Sequence, residues 1–206
     1  IIISIFKILY GFIYSFCLIL KFKPSLVVGF GGYTSIPTIL AAKVLNKKIL
    51  IHEQNSVMGR TNRFLSKIST KIAITYKNTI FAHKSAILSG IPIRKLKVKN
   101  KKKNNKKKTI LIIGGSQGAQ VFSEIIKKVL LGFDKNLLKK IFIVHQVRKE
   151  DLKSMKNFYQ NLNIKFKIKS FFTNIYDEIN NSDLIISRCG ASTLAEIEFF
   201  KKFCIL

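Results

Sequence analysis

Cysteine is scarce and unpatterned in this chain. Its three thiols, Cys17, Cys189 and Cys204, form no CxxC pair and no Cys/His ligand spacing. This argues against a disulfide framework and a metal site, and makes a reducing cytosol the expected compartment. Acidic residues are scarce too: 10 Asp and Glu stand against 37 Lys and Arg, a formal charge of +27. That imbalance favours anionic partners, whether nucleic acid, acidic lipid headgroups or phosphorylated substrates, without choosing among them. Much of the excess is Lys beside Asn, Ile and Phe, residues that an AT-rich coding sequence favours, so part of it is compositional. Aromatic and basic residues do not interleave as in an RNA-binding module, and the lysine run from Lys99 to Lys108 falls in an expected loop. Nucleic acid is therefore not an expected partner. An initiator Met is absent as well. The chain opens Ile-Ile-Ile and stops at Phe203-Cys204-Ile205-Leu206, which reads as the start of a buried strand, so it is expected to be part of a longer protein.

Residues 109–121, TILIIGGSQGAQV, are the most informative stretch. A buried-type run, Ile110 to Ile113, breaks at Gly114-Gly115, and Ser116-Gln117-Gly118-Ala119 leads into an apolar-periodic helix. Glycines let a backbone approach a ligand closely, and the first-turn N–H groups of a helix present positive potential, so the unit suits a phosphate or diphosphate. Gly-Gly also occurs in strand-to-helix turns for purely steric reasons. The spacing is not GxGxxG, which argues against a dinucleotide-binding dehydrogenase.

Residues 1–22 are apolar over nearly the roughly 20 residues that span a bilayer, with Lys7 the only charge before Lys21. No small-residue cleavage site follows, so a secretory signal is not expected. A transmembrane helix is one reading. The preferred one is a buried or membrane-facing helix of an α/β domain, because Pro24 and a strand follow without a linker.

From Ser25 strands and helices alternate. Leu26 to Phe30 reads as a strand, Gly31 to Ser35 as a glycine turn, and Ile36 to Leu45 as a helix with Pro37 in its first turn, where a missing N–H costs little. Ile49 to Ile51 is a strand followed by a polar tip, His52-Glu53-Gln54-Asn55. A helix near 61–68 and strands near 72–75 and 86–88 close the section. The stretch from Lys95 to Lys108 lacks apolar periodicity and reads as a solvated linker. A second alternating half follows, with helices expected at 117–131, 149–161, 175–180 and 192–200 and strands at 141–144, 164–168 and 184–187. Such alternation predicts an α/β fold of two doubly wound parallel-sheet domains facing across a cleft, both incomplete. The expected boundaries are 1–94, a lysine-rich linker at 95–108, and 109–206. Ligands in these sheets bind beyond the carboxyl ends of the strands, where both Gly-Gly turns and the 52–55 tip fall.

GFGGYTSIP (29–37), IHEQNSVMGRTNRFLSK (51–67), SGIPIR (89–94), IGGSQGAQ (113–120) and SRCGASTLAEI (187–197) stand in the order and approximate spacing of the MurG family, which the chain resembles over about residues 22–206. The resemblance implies a two-domain GT-B inverting hexosyltransferase without a metal or other cofactor. Such an enzyme is peripheral on the cytoplasmic face of the bacterial inner membrane. It moves N-acetylglucosamine from UDP-GlcNAc to the MurNAc 4-hydroxyl of lipid I, making lipid II for peptidoglycan. The implied partners are UDP-GlcNAc, lipid I and an anionic phospholipid surface. The domain of residues 1–94 would serve acceptor and membrane, and that of residues 109–206 the donor.

By the same resemblance Gly114, Gly115 and Ser116 lie by the donor diphosphate, and Arg94 counters charge on the departing UDP. Glu196 receives the ribose hydroxyls, Ala191, Ser192 and Thr193 line the nucleotide, and Phe172 meets uracil through its backbone. Gly31, Gly32, Tyr33 and Ser35 match a loop for the lipid-linked diphosphate, with His52, Glu53 and Asn55 on the neighbouring tip. His52 and Glu53 are equally readable as residues that order the tip. The chain departs from the family pattern in several places. The glycine-rich loop carrying the usual general-base histidine is missing, so no catalytic base is assigned and the fragment alone is expected to be inactive. Ile91 stands where Asn is common, Ser192 replaces a bulkier residue, and Val147-Arg148 interrupt the pattern after His145-Gln146. Another GT-B lipid glycosyltransferase would lack the IHEQN tip, which argues against that alternative.

Overall fold

The computed structural model describes residues 2–93, 107–114 and 120–206. The chain divides into two compact units, Ile1–Pro92 and Ile93–Leu206. Arg94, Gly115, Ser116 and most of the lysine-rich linker lie outside the described residues.

The first unit runs α1 (Ile2–Phe22), β1 (Leu26–Gly29), α2 (Ile36–Val44), β2 (Lys48–Glu53), α3 (Arg60–Ser66), β3 (Lys71–Ile74) and β4 (Ile87–Leu88). Its sheet is parallel throughout, in the order β1-β2-β3-β4. The apolar run Ile49-Leu50-Ile51 makes β2 an interior strand, as parallel sheets covered by helices require. Ile49 and Ile51 are fully buried with Ile39, Ala41 and Ala42 of α2, Met58, and Leu65 of α3. The strand extends two residues further than the sequence reading placed it, so His52 and Glu53 are its last residues and the polar tip begins at Gln54.

The first helix packs on α2 through one face and leaves the other open. Phe12, Phe16 and Ile19 point inward at helical spacing. Ser15 Oγ lies 2.9 Å from Thr38 Oγ1, and a Cβ on Gly11 would stand 3.3 Å from the Pro37 ring, so this glycine permits the close approach. Phe6, Leu9, Tyr10, Ile13, Tyr14 and Leu20 are exposed on the other side. Among the described residues no helix is long and apolar enough to cross a membrane.

The second unit runs β5 (Lys108–Ile113), α4 (Gln120–Leu131), α5 (Lys135–Lys140), β6 (Ile141–Gln146), α6 (Leu152–Asn161), β7 (Lys165–Lys169), α7 (Ile175–Asn181), β8 (Leu184–Ser187), α8 (Ala191–Phe199) and β9 (Phe203–Ile205). All pairings are parallel, in the order β7-β6-β5-β8-β9. Side chains alternate across β5: Ile112 joins a core with Ile143, Met155 and Tyr159, while Leu111 and Ile113 join one with Ile179, Ile185 and Ile197. This is a doubly wound sheet with apolar layers on both faces. One element differs from the sequence reading. The unpredicted α5 is started by Asp134, whose carboxylate accepts from Asn136 N–H at 3.1 Å. The expected strand at 203–205 forms and pairs in parallel with β8, Phe203 opposite Leu184.

Candidate functional site

In the first unit the carboxyl ends of β1 and β2 lie side by side, since Gly29 is the register partner of Ile51. The chain leaving β1 turns through Gly31 at φ +85° and Gly32 at φ +74° into a short 3-10 turn, Tyr33–Ser35. Both angles fall where L side chains are disfavoured, which is why glycine is needed here. Ser35 closes the turn, its hydroxyl donating to the Gly32 carbonyl at 2.9 Å. Tyr33 is 74% exposed.

The tip after β2 is organised by Glu53, 1% exposed. Its Oε1 accepts from the backbone N–H and the side-chain amide of Asn55, both at 3.0 Å. Its Oε2 accepts from Gly59 N–H at 3.0 Å and from Asn62 Nδ2 at 2.8 Å. Burial by itself pushes the carboxyl up, but the donors of Asn55, Asn62 and Gly59 outweigh it and hold the group below its ordinary value. Glu53 thus stays ionised and shapes the tip around itself.

His52 is fully engaged as well. Gln54 Nε2 donates to the His52 carbonyl at 2.8 Å and meets Nδ1 at 2.9 Å. A carbonyl can only accept, so the NH₂ end of Gln54 faces His52 and Nδ1 is an acceptor. The proton therefore sits on Nε2, which donates to the Gly90 carbonyl at 2.9 Å. Phe30 packs on the ring at 5.5 Å between centroids.

These elements enclose a pocket of about 250 Å³ lined by Phe30, Gly31, Gly32, the tip from Glu53 to Asn55, and residues 59–62. Of the first-unit residues expected at a site, Gly31, Gly32, Glu53 and Asn55 line it. His52 lies behind it, and Tyr33 and Ser35 follow the glycine turn. Asn62, 2% exposed, was not singled out from sequence. The TNR triplet is visible in the sequence, but Asn62 on α3 finds its partners, His52 and Glu53, on β2, a contact that local pattern does not encode.

In the second unit β5 has β6 on one side and β8 on the other, so the chain direction of winding reverses there. Ligands bind open α/β sheets at this switch point. Ile113 is the register partner of Ser187, which brings buried Gly114 and the turn at 188–190 to one sheet edge. Ala191, Ser192 and Thr193 form the first turn of α8 behind Gly190. Glu196, on the same helix, accepts from Tyr176 Oη–H at 3.1 Å. Phe172 is buried, 6% exposed, with Lys167 Nζ 5.6 Å from its ring centre. The Lys167 ammonium also pairs with Glu178.

His145 at the end of β6 has a different character. It is wholly buried with Nδ1 2.8 Å from Tyr159 Oη, and burial lowers its pKa to about 4 while a weaker attraction to Asp151 opposes this. It is a neutral core residue at ordinary pH. Among the described residues no cluster of three or more His, Cys, Asp or Glu could hold a metal ion.

The glycosyltransferase family 28 N-terminal domain model matches residues 1–74, and the family 28 C-terminal domain model matches residues 109–206. The chain belongs to glycosyltransferase family 28. A curated relative from Rickettsia bellii (strain RML369-C) is 42% identical over 195 residues, covering 88% of this chain and 54% of its own length. It is named UDP-N-acetylglucosamine:N-acetylmuramyl-(pentapeptide) pyrophosphoryl-undecaprenol N-acetylglucosamine transferase. The crystal structure of MurG from Acinetobacter baumannii superposes with a TM-score of 0.69 at 30% identity, over 93% of this chain and 55% of that one. UDP-GlcNAc 2-epimerase from Neisseria meningitidis, bound to UDP-GlcNAc, shares the fold at a TM-score of 0.68 and 14% identity, over 96% of this chain and 63% of that one. The family 28 chain spans about half the length of the curated relative. Its two parallel sheets are the Rossmann-like units of the GT-B class.

Proposed function

We propose that the protein carrying this chain is an inverting N-acetylglucosaminyltransferase that uses UDP-GlcNAc to convert lipid I into lipid II. The muramoyl 4-hydroxyl attacks the anomeric carbon and gives up its proton to a base, the bond from that carbon to the UDP oxygen breaks, UDP departs with the bonding pair, and the sugar is transferred with inversion to a β-linkage. The observation that carries this reading is the place of the family 28 motifs in the fold: the Gly31-Gly32 turn follows the carboxyl end of β1 in one unit, and Gly114 follows that of β5 in the other. The relatives' names supply the substrates.

In this reading the second unit holds the donor. Gly114, Gly115 and Ser116 receive the diphosphate with backbone N–H groups. Arg94 offsets charge on departing UDP. Glu196, steadied by Tyr176, accepts from the ribose diol, and Ala191, Ser192, Thr193 and the Phe172 backbone surround the nucleotide. The first unit holds the acceptor at Gly31, Gly32, Tyr33, Ser35 and Asn55, with Glu53 in the pocket wall and His52 ordering the tip next to it. No residue of this chain is assigned as general base. The exposed face of α1 and the lysine excess favour a peripheral seat on anionic phospholipid, at the cytoplasmic face of the inner membrane.

The test is equilibrium binding of UDP-GlcNAc, UDP-glucose and NAD to the full-length protein and to its Glu196→Ala variant. Selective UDP-GlcNAc binding, weakened at least tenfold in the variant, is expected from loss of hydrogen bonds to a charged acceptor. Equal binding of all three ligands, or of none, overturns the donor assignment.

A further inference from the structure

We propose that Asn62 is a positioning residue for the first-unit pocket, and that its carboxamide lets a pocket with a carboxylate in its wall accept a diphosphate. The inference deepens the acceptor assignment above and rests on it. Glu53 lines the pocket and stays ionised. An ionised carboxylate beside a phosphate is repulsive unless its charge is satisfied elsewhere. Four N–H groups satisfy it, and of these Asn62 Nδ2 makes the shortest contact, 2.8 Å.

The amide orientation is fixed by geometry. Nδ2 donates to Glu53 Oε2 and to the His52 carbonyl at 3.2 Å, so a flipped amide would set oxygen against two oxygens. The opposite atom, Oδ1, is buried and has no hydrogen-bond partner among the described residues. It lies under the glycine turn: a Cβ on Gly31 would stand 3.0 Å from Nδ2 and 3.2 Å from Oδ1. One side chain therefore touches both walls of the pocket, holding the Glu53 charge on one side and setting the height of the Gly31 turn on the other. The titratable groups around it are Glu53 and His52 from β2 and Arg60 from the first turn of α3. Phe30, Gly31 and Gly32 face it from the β1 end and do not titrate.

The experiment is steady-state kinetics of the full-length protein and of Asn62→Asp and Asn62→Ser, with a lipid-linked disaccharide-precursor diphosphate as acceptor, from pH 5.5 to 8.5. Asn62→Asp sets a second carboxylate about 3 Å from the first, and such a pair shares one proton rather than ionising fully. Its acceptor KM is expected to rise at least tenfold at pH 8.5 and to recover in part toward pH 5.5, where the single O–H of the protonated acid restores the bond to Glu53 but not the longer one to the His52 carbonyl. Its KM for UDP-GlcNAc stays within twofold. Asn62→Ser, neutral and shorter, is expected to raise the acceptor KM about fivefold with no new pH dependence, and it carries the test if the Asp variant does not fold. Acceptor KM values unchanged in both variants, or donor and acceptor KM rising together, overturn the inference alone. A wild-type protein with no UDP-GlcNAc turnover overturns the transferase reading and this inference with it.

Discussion

Glu53 shows how a buried charge is made tolerable by its neighbours. Four N–H donors surround a side chain with almost no solvent contact, and hydrogen bonds to charged groups contribute about 1.5–3 kcal/mol each before burial is subtracted. The folded carboxyl lies below its ordinary value of 4.5. Its contribution is therefore fully present above about pH 4.5 and is lost as pH falls through the lower folded value. Urea midpoints measured between pH 7 and pH 3 are expected to drop in this window for the wild type. Glu53→Gln, which cannot ionise but loses about 2–4 kcal/mol by turning an amide N–H toward Gly59 and Asn62, should lack that part of the drop. A Gln variant as stable as wild type at pH 7 would remove Glu53 from the role of organiser. The 52–55 tip was legible as a polar strand end. Its partners were not, because Gly59 and Asn62 reach Glu53 only after α3 folds back over β2, a closure that local pattern does not encode.

At the scale of elements, the glycine turn after β1 separates two requirements that coincide in sequence. Gly31 and Gly32 both have positive φ, but an added Cβ at Gly31 meets the Asn62 amide at 3.0 Å, whereas at Gly32 the nearest atom is Thr34 Oγ1 at 3.8 Å. Both positions are backbone conformations that alanine resists, and Gly32, at φ +74° and ψ 150°, lies outside the left-handed α region in one that is essentially glycine-only, so its alanine carries a backbone cost of about 1–3 kcal/mol. Gly31→Ala adds displacement of a packed, hydrogen-bonded amide, for a total of about 2–4 kcal/mol. Both alanines should melt below wild type, and a double-mutant cycle with Asn62→Ser should show coupling for Gly31→Ala and none for Gly32→Ala; additive losses in both cycles would show that the Asn62 contact is not enforced. Alternation of strands and helices was readable because each buried strand is a short apolar run and each helix has a 3.6-residue period. The six-residue α5 carries too little period to be seen by that signal, though Asp134 marked its start. The place of β9 beside β8 was hidden for a different reason: sheet order is not a property of the segment itself.

For the whole molecule, the two faces of α1 and the net charge converge on one physical prediction. An amphipathic surface helix ordinarily presents a polar outer face. Here Phe12, Phe16 and Ile19 satisfy the core, and the outer face still carries Phe6, Tyr10 and Ile13 at 68%, 73% and 55% exposure. Those side chains recur at i, i+4 and i+7, so a single plane can meet them together. A buried aromatic or aliphatic side chain contributes at most about 1.5–3 kcal/mol, which makes three partly inserted ones a reversible anchor. The formal charge of +27 supplies a second attraction that salt screens. Sedimentation with phosphatidylglycerol-containing vesicles should therefore retain the wild-type protein at low salt and lose much of it near 0.5 M salt, a condition at which the Debye length is only about 4 Å. The triple variant Phe6→Ser, Tyr10→Ser, Ile13→Ser should bind at least tenfold more weakly at both salt concentrations while melting close to wild type, because none of the three side chains packs on the core. Undiminished vesicle binding by that variant would leave the apolar face without a membrane role. Loss of binding together with loss of folding would place those residues in the structure of the unit instead.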